Sequence, residues 1–291
     1  MATTTATPPK GGFGYRHPRA RLAALLAAPM AWLVVVYLGS LAALFLTAFW
    51  TVDGFTGALV RTFTFENFVE VFTTPAYLQT MLRTLGIAIG VTILCLLIGV
   101  PVAFFMARIA RARWQPLLVA LILTPLWASY LVKVYAWRAM LSPEQGVLAW
   151  FLAPFGLDSP GFGELSIIIT LTYLWLPYMI LPVYAGFTRL PNSMLDASAD
   201  LGAKGWRTFR SVIVPIIFPT MVAGSIFTFS LSLGDYITAQ IVGGKVIMLG
   251  NVVQQNYVTN LPFAAAFATI PVVIVLLYLA AVRRTGALEN L

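Results

Sequence analysis

Cysteine and histidine are almost absent: Cys95 and His17 are the only ones in 291 residues. A single thiol excludes a disulfide framework. A single imidazole excludes a His-Glu-x-x-His metal site. Cys95 sits inside an apolar run, where a lone thiol packs like a small hydrophobe, and His17 lies in a basic tail, where it is read as solvated. Charge is also scarce, at 10% of residues, against roughly 25% in soluble domains. No G-x-x-x-x-G-K-[ST] occurs. Gly243-Gly244-Lys245 comes nearest but is followed by Val246 at the wrong spacing, so the chain has no phosphate cradle of its own.

What is abundant is apolar surface, in long unbroken runs: 60% of residues are hydrophobic. A helix crosses a hydrocarbon core of ~30 Å with roughly 20 residues. The runs predict an all-α membrane protein with six transmembrane helices, at about 22–50, 84–107, 114–138, 165–188, 211–234 and 261–282. The first run is too long for a signal-peptide core of ~7–15 residues and is read as a span that also directs insertion. Residues 1–21, with Pro8, Pro9, Gly11, Gly12 and Gly14, read as a flexible basic arm, residues 22–284 as the six-span domain, and 285–291 as a tail.

The formal charge of +8 raises nucleic acid as a partner, but its distribution points to a membrane. With the N-terminus inside, the inner segments hold Lys10, Arg16, Arg19, Arg21, Arg108, Arg111, Arg113, Arg189, Lys204, Arg207, Arg210, Arg283 and Arg284. The other side holds Arg61, Arg83, Lys133, Arg138 and Lys245. This is the positive-inside bias of a multi-pass protein with both termini in the cytoplasm. Nothing else supports nucleic-acid binding.

Every expected span contains proline, which removes a backbone donor and kinks a helix. Such breaks serve central sites in transporters, but membrane helices are proline-rich in general. Gly86-x-x-x-Gly90 permits close helix approach without naming a partner. Beyond the expected outer ends of the spans, Gly146–Leu152 reads as a short amphipathic helix at the surface, and 235–262, with Gly243, Gly244, Gly250, Asn251, Gln254 and Gln255, as a packed loop. Either segment meets a delivery protein or only caps the bundle.

Residues 190–210 form a polar interruption with a helix signature of its own. Pro191 turns the chain, Ser193 and Asp196 resemble a capping box, Met194–Leu201 reads as about two helical turns, and Gly202 supplies a C-terminal cap. A helix this short is not stable alone and must dock. The array Asp196-Ala197-Ser198, three residues, Gly202, nine residues, Val212-x-Val214-Pro215 resembles the EAA loop of bacterial ATP-binding-cassette (ABC) importer permeases, with Asp for Glu, Ser for the second Ala and altered aliphatics. The resemblance implies a type I ABC importer permease-like fold whose cytoplasmic coupling helix, between spans four and five, seats in a groove of an ATPase. Leu195, Asp196, Ala197, Ser198, Ala199, Leu201 and Gly202 are then the coupling residues. It further implies a non-catalytic subunit in the bacterial inner membrane that binds no cofactor. Its partners are two copies of an ATPase that hold ATP and Mg, a second permease in a heterodimer, and a periplasmic or lipid-anchored binding protein.

Leu233-Gly234-Asp235-Tyr236, then Gly243-Gly244 and Met248-Leu249-Gly250, is similar to the segment after span five in polyamine-class permeases; Gly146-Val147-Leu148 and Asp200-Leu201-Gly202-Ala203 fit the same class. The implied substrate is spermidine or putrescine, with an opine, an aminoalkylphosphonate, iron or an oxyanion as alternatives. From the residues themselves, Asp235, Tyr236, Trp127, Tyr130 and Tyr135 are candidates for a cation pathway, because carboxylates and aromatic faces attract ammonium groups. Equally, Trp and Tyr form interfacial belts and Asp235 can cap the next segment. A passive channel would explain the spans but not a docking helix. An intramembrane enzyme lacks a nucleophile with a positioned base.

Overall fold

The computed structural model describes residues 18–284; the remainder of the expected basic arm and tail lies outside them. The chain starts with α1 (Pro18–Trp32), a π-helical stretch (Leu33–Leu38) and α2 (Gly39–Thr47). A small hairpin of β1 (Thr51–Val52) and antiparallel β2 (Leu59–Val60) follows. Its turn is tied by Asp53 Oδ1, which accepts from the Phe55 and Thr56 amides at 3.0 and 2.8 Å; these bonds hold the Asp53 carboxyl below the usual carboxylate range. Asn67 on α3 (Glu66–Thr73) donates to the carbonyls of Ala48 and Trp50 at 2.9 and 2.8 Å, closing this end onto α2.

The bundle is organised on α4 (Pro75–Phe104), which continues through a π turn (Phe105–Ile109), and on α8 (Glu164–Arg189) and α11 (Val214–Leu233), which pack against it and each other. Between them come α5 (Gln115–Trp127), α6 (Tyr130–Leu141) and α7 (Val147–Leu152), which runs into a 3-10 turn (Ala153–Phe155). After α8 stand α9 (Asn192–Asp200) and α10 (Gly205–Thr208), the latter joined to α11 by a π turn (Phe209–Ile213). Short α12 (Ile237–Val242) and α13 (Leu249–Asn256) precede α14 (Leu261–Arg284). Among the described residues, five continuous helical stretches are long and apolar enough to cross a membrane, and a sixth is added if the bent pair α5 and α6 is one span.

Small residues let the central helices approach, since apolar lipid gives no hydrophobic drive and close packing must do the work. A Cβ at Gly99 would lie 2.9 Å from Met179, and one at Gly224 2.7 Å from the same side chain. At Gly186 a Cβ would overlap Thr220. A Cβ at Gly86 or Gly90 would meet nothing within 4 Å, so the GxxxG pattern is not used for packing among the described residues. Ile87, Val91 and Met106 pack with Ile167, Leu171 and Phe187 into the main core. Phe229, Leu233, Leu249, Phe263 and Phe267 form a second cluster towards the hairpin end. Cys95, fully buried, points its thiol at the Thr172 carbonyl 3.6 Å away.

The structure differs from the hydropathy pattern in three places. The second long helix starts at Pro75 rather than 84, because a charge-free criterion stops at Arg83 although the helical backbone does not. The run 114–138 is not one rod: α5 and α6 meet at 93°, with Ala128 extended and Ser129 also out of the helical region, at ψ 143° and 137°. Pro125 has already removed a ladder donor one turn earlier, and 13 residues of α5 span only about 20 Å. The segment 235–262 is not a loop but carries α12 and α13. Met248 N donates to Asn251 Oδ1 at 3.0 Å, and Leu249 N to Thr84 Oγ1 at the same distance, so side chains close the start of α13 and seat it on α4, while α12 packs against α6 and α8.

Candidate functional site: a docking corner and a buried carboxylate

One end of the bundle is arginine-rich and carries 108–113, α9 and the end of α14. Here α8 stops at Arg189, Leu190 and Pro191 are extended, and α9 begins at Asn192. No side chain caps its start, so the Ser193 and Asp196 capping box does not form: Ser193 lies inside the first turn, and Pro191, whose φ is fixed, occupies the cap position. The other end closes as a Schellman motif. Gly202 has φ +74°, its amide donates to Ala199 O at 2.8 Å, and the Ala203 amide donates to Ser198 O at 3.1 Å. Ser198 is buried and shares a 2.9 Å hydrogen bond with Thr208 on α10, which folds α10 back against the short helix.

The candidate coupling residues divide by face. Leu195 is half-buried and packs on the bundle's own core, and Ser198 also points inward. Asp196, Ala197, Ala199 and Gly202 are exposed, and Leu201 is 88% exposed. With Met194, Ala197, Ala203 and Val212, Leu201 lines a cavity of about 430 Å³. The open face thus combines apolar side chains with two exposed carboxylates, Asp196 and Asp200, and Arg207 lines the cavity beside them.

Arg108 was read from the sequence only as a topology charge. In the structure it reaches across 82 residues from the π turn after α4, donating through Nη2 to Leu190 O and through Nη1 to Asn192 Oδ1 at 2.7 Å. Leu190 O lies at the end of α8, where carbonyls are unsatisfied and the helix dipole favours a cation. One guanidinium therefore fixes the corner between α8 and α9 to α4. No sequence pattern marks this contact, because Arg108 sits among Arg111 and Arg113 with the same apparent role.

At the other candidate site, Asp235 is buried. Its Oδ1 accepts the Thr238 amide at 2.8 Å, its Oδ2 accepts the Tyr130 hydroxyl, and Tyr130 and Thr238 share a 2.7 Å hydrogen bond. Asp235 thus ties the start of α12 to the start of α6. The Val242 carbonyl, seven residues on, accepts the Gly163 amide at the start of α8, so α12 climbs back to that level from below. Seven helical residues rise up to about 10 Å. Tyr130 also stacks at 6.0 Å on Trp175, near the middle of the 26-residue α8. The sequence reading placed Asp235 at the end of the fifth span, and α11 does stop at Leu233, two residues before it. Trp127 (89% exposed) and Tyr135 (58%) point away from this cluster. Tyr236 lines a separate cavity of about 540 Å³ with Gly250, Gln254 and Tyr257.

A bundle of membrane-length helices with a short, capped helix between its fourth and fifth spans is the architecture expected of a transport permease. Residues 96–284 match the family described as binding-protein-dependent transport system inner membrane component, and the chain belongs to that family. It is 41% identical over 297 aligned residues, covering 96% of this chain and 94% of the relative, to the inner membrane ABC transporter permease protein YdcU of Escherichia coli (strain K12). It is 36% identical over 210 residues, covering 70% of this chain and 72% of the relative, to the spermidine/putrescine transport system permease protein PotB of Haemophilus influenzae. Among solved structures, a bacterial ABC transporter involved in the import of the polysaccharide alginate superposes with a TM-score of 0.70 at 16% identity, covering 93% of this chain and 97% of that one. The MetNI methionine ABC transporter superposes with a TM-score of 0.55 at 19% identity, covering 72% and 93%. These fix the fold as that of type I importer permeases, and the chain as a multi-pass permease subunit of an ABC importer.

Proposed function

We propose that this subunit forms half of the pathway by which a polyamine, spermidine or putrescine, enters the cytoplasm at the expense of ATP. The observation that carries the substrate is the similarity over 70% of the chain to a permease named for spermidine/putrescine; a carboxylate held inside the bundle rather than at its surface supports a cationic cargo. The arginine-rich end faces the cytoplasm of the bacterial inner membrane, as the positive-inside bias requires, and both termini lie there. Two copies of a separate ATPase bind ATP and Mg, and the exposed face of α9 seats in them. A second, different permease completes the pathway. A binding protein delivers the solute to the opposite end, where α7 and its neighbours present a cavity of about 680 Å³ lined by Glu144, Trp150 and Asp158.

In this reading the chain makes and breaks no covalent bond. Closure of the ATPases moves α9, and α9 moves the bundle through three rigid joints: the Pro191 entry, the Gly202 exit, and Arg108, which adds α4 to the moving body. The test is ATP-dependent uptake of labelled spermidine and putrescine by the complete transporter. Uptake competed by polyamines but not by opines, aminoalkylphosphonates, iron or oxyanions is the expected result. Uptake of one of those solutes with no polyamine carried overturns the substrate assignment.

A further inference from the structure

Between α4, α11 and α14 lies a groove of about 370 Å³ that the transport reading leaves unused. Leu96 of α4, Phe218, Met221 and Val222 of α11, and Ala281 and Val282 of α14 make its walls apolar. The hydroxyls that reach it are already engaged. Thr92 donates to Ala88 O at 2.7 Å and Ser225 to Val222 O at 2.7 Å, while the Tyr278 hydroxyl shares a 2.6 Å hydrogen bond with Ser225. No hydroxyl proton is left for a polar solute, whereas an alkyl chain gives up no hydrogen bond on entering. On α11 the lining runs from Phe218 to Ser225, about 10 Å along the helix axis. Phe218 and Ala281 are exposed, so the groove is open to whatever surrounds the bundle. It lies towards the arginine-rich end. Phe218 belongs to the first two turns of α11, and α14 leaves the groove at Val282 to finish in Arg283 and Arg284, both exposed.

We propose that this groove binds one anionic phospholipid, with an acyl chain lying along α11 between α4 and α14 and the phosphate held by Arg283 and Arg284. The site requires only that α14 crosses the bilayer with its arginine pair at one surface, so it does not depend on which solute is carried. Arginine meets phosphate with a fork of charged donors, and basic pockets between transmembrane helices select anionic head groups. The positive-inside bias accounts for two arginines after a span. It does not account for an apolar slot directly before them. An empty groove between packed helices forfeits dispersion contacts on its open side, and lipid tails, as apolar as leucine, supply them. The rival occupant is a helix of the second permease. With side chains a helix is about 10–12 Å across, so a 10 Å length of one fills roughly 800 Å³ or more, about twice the groove. An acyl chain is far thinner and fits, and only the lipid brings a negative charge to the arginine pair.

The experiment reconstitutes the complete transporter in phosphatidylcholine vesicles doped with phosphatidylglycerol that carries a photoactivatable group midway along one acyl chain. Labelled residues are located by mass spectrometry. Labelling is expected around Leu96, Met221 and Ala281, and to exceed that by equally tagged phosphatidylcholine at least threefold. Ala281→Phe fills the groove and is expected to lower labelling at Leu96 and Met221 at least fivefold. Replacing the pair, Arg283→Gln with Arg284→Gln, leaves the groove open and is expected to abolish the preference for phosphatidylglycerol, while Arg283→Lys with Arg284→Lys keeps most of it. Should the glutamine pair fail to insert, Ala281→Phe decides. In a Cys95→Ser background, a photoactivatable crosslinker on Ala281→Cys is expected to capture lipid. Equal labelling by both lipids in the wild type, labelling unchanged by Ala281→Phe, or capture of the second permease from Ala281→Cys would each overturn the lipid site and leave the transport reading standing.

Discussion

At Gly202 the backbone φ of +74° costs a residue with a Cβ about 1–2 kcal/mol, although a Cβ there would meet nothing within 4 Å. The constraint is the backbone itself, and a β-branched side chain strains the Schellman closure without clashing. Arg108 holds the same corner through charge. Hydrogen bonds to charged groups contribute about 1.5–3 kcal/mol, and lysine cannot reproduce a forked guanidinium. Arg108→Gln and Asn192→Ala are expected to be non-additive by about 1 kcal/mol in a double-mutant cycle of thermal unfolding. Arg108→Lys should assemble but transport less solute per ATP hydrolysed. Additive losses with an unchanged transport-to-hydrolysis ratio would show that the contact transmits nothing.

At the scale of the element, α9 is amphipathic with its inner face already occupied. Leu195 packs on the chain's own core while Leu201 stands in solvent. Leu195→Ala is therefore expected to lower bundle stability by about 1–2 kcal/mol, below the 2–5 kcal/mol of a fully buried leucine, whereas Leu201→Ala leaves the melting temperature unchanged and weakens retention of the ATPase. The reverse pattern would mean that the helix docks by its other face. This division was only partly legible in the sequence. The turn at Pro191 and the cap at Gly202 follow from backbone chemistry that any residue neighbours would respect. The facing of Leu195 and the reach of Arg108 depend on chain far away in sequence. The long apolar helices were legible for the same reason as the caps, since each satisfies its own backbone. The break at Ala128–Ser129 was not, because neither residue is a helix breaker and its partners, Asp235 and Thr238, lie over a hundred residues on. For α12 and α13, glycines and amides suggested a loop where side-chain hydrogen bonds in fact seat two short helices.

For the whole molecule, the arginine distribution predicts the orientation and the exposed helix α9 predicts the coupling. A reporter active only in the cytoplasm is expected to work after Arg113, after Lys204 and at the C-terminus, and to fail after Gly156 or Gly250; activity at either of the last two would overturn the topology. The coupling account requires that a rigid helix between α8 and α11 carry force from ATPase closure into the bundle. Two substitutions leave every span untouched: Asp196→Arg reverses one of the two carboxylates exposed on α9, and Gly202→Val strains the exit. The most direct measurement is co-purification of each variant with the ATPase subunit, together with substrate-stimulated ATP hydrolysis. Both variants are expected to insert normally and to lose at least tenfold in one or both readouts. Wild-type retention and wild-type stimulation in both would reduce α9 to a connector and contradict the account.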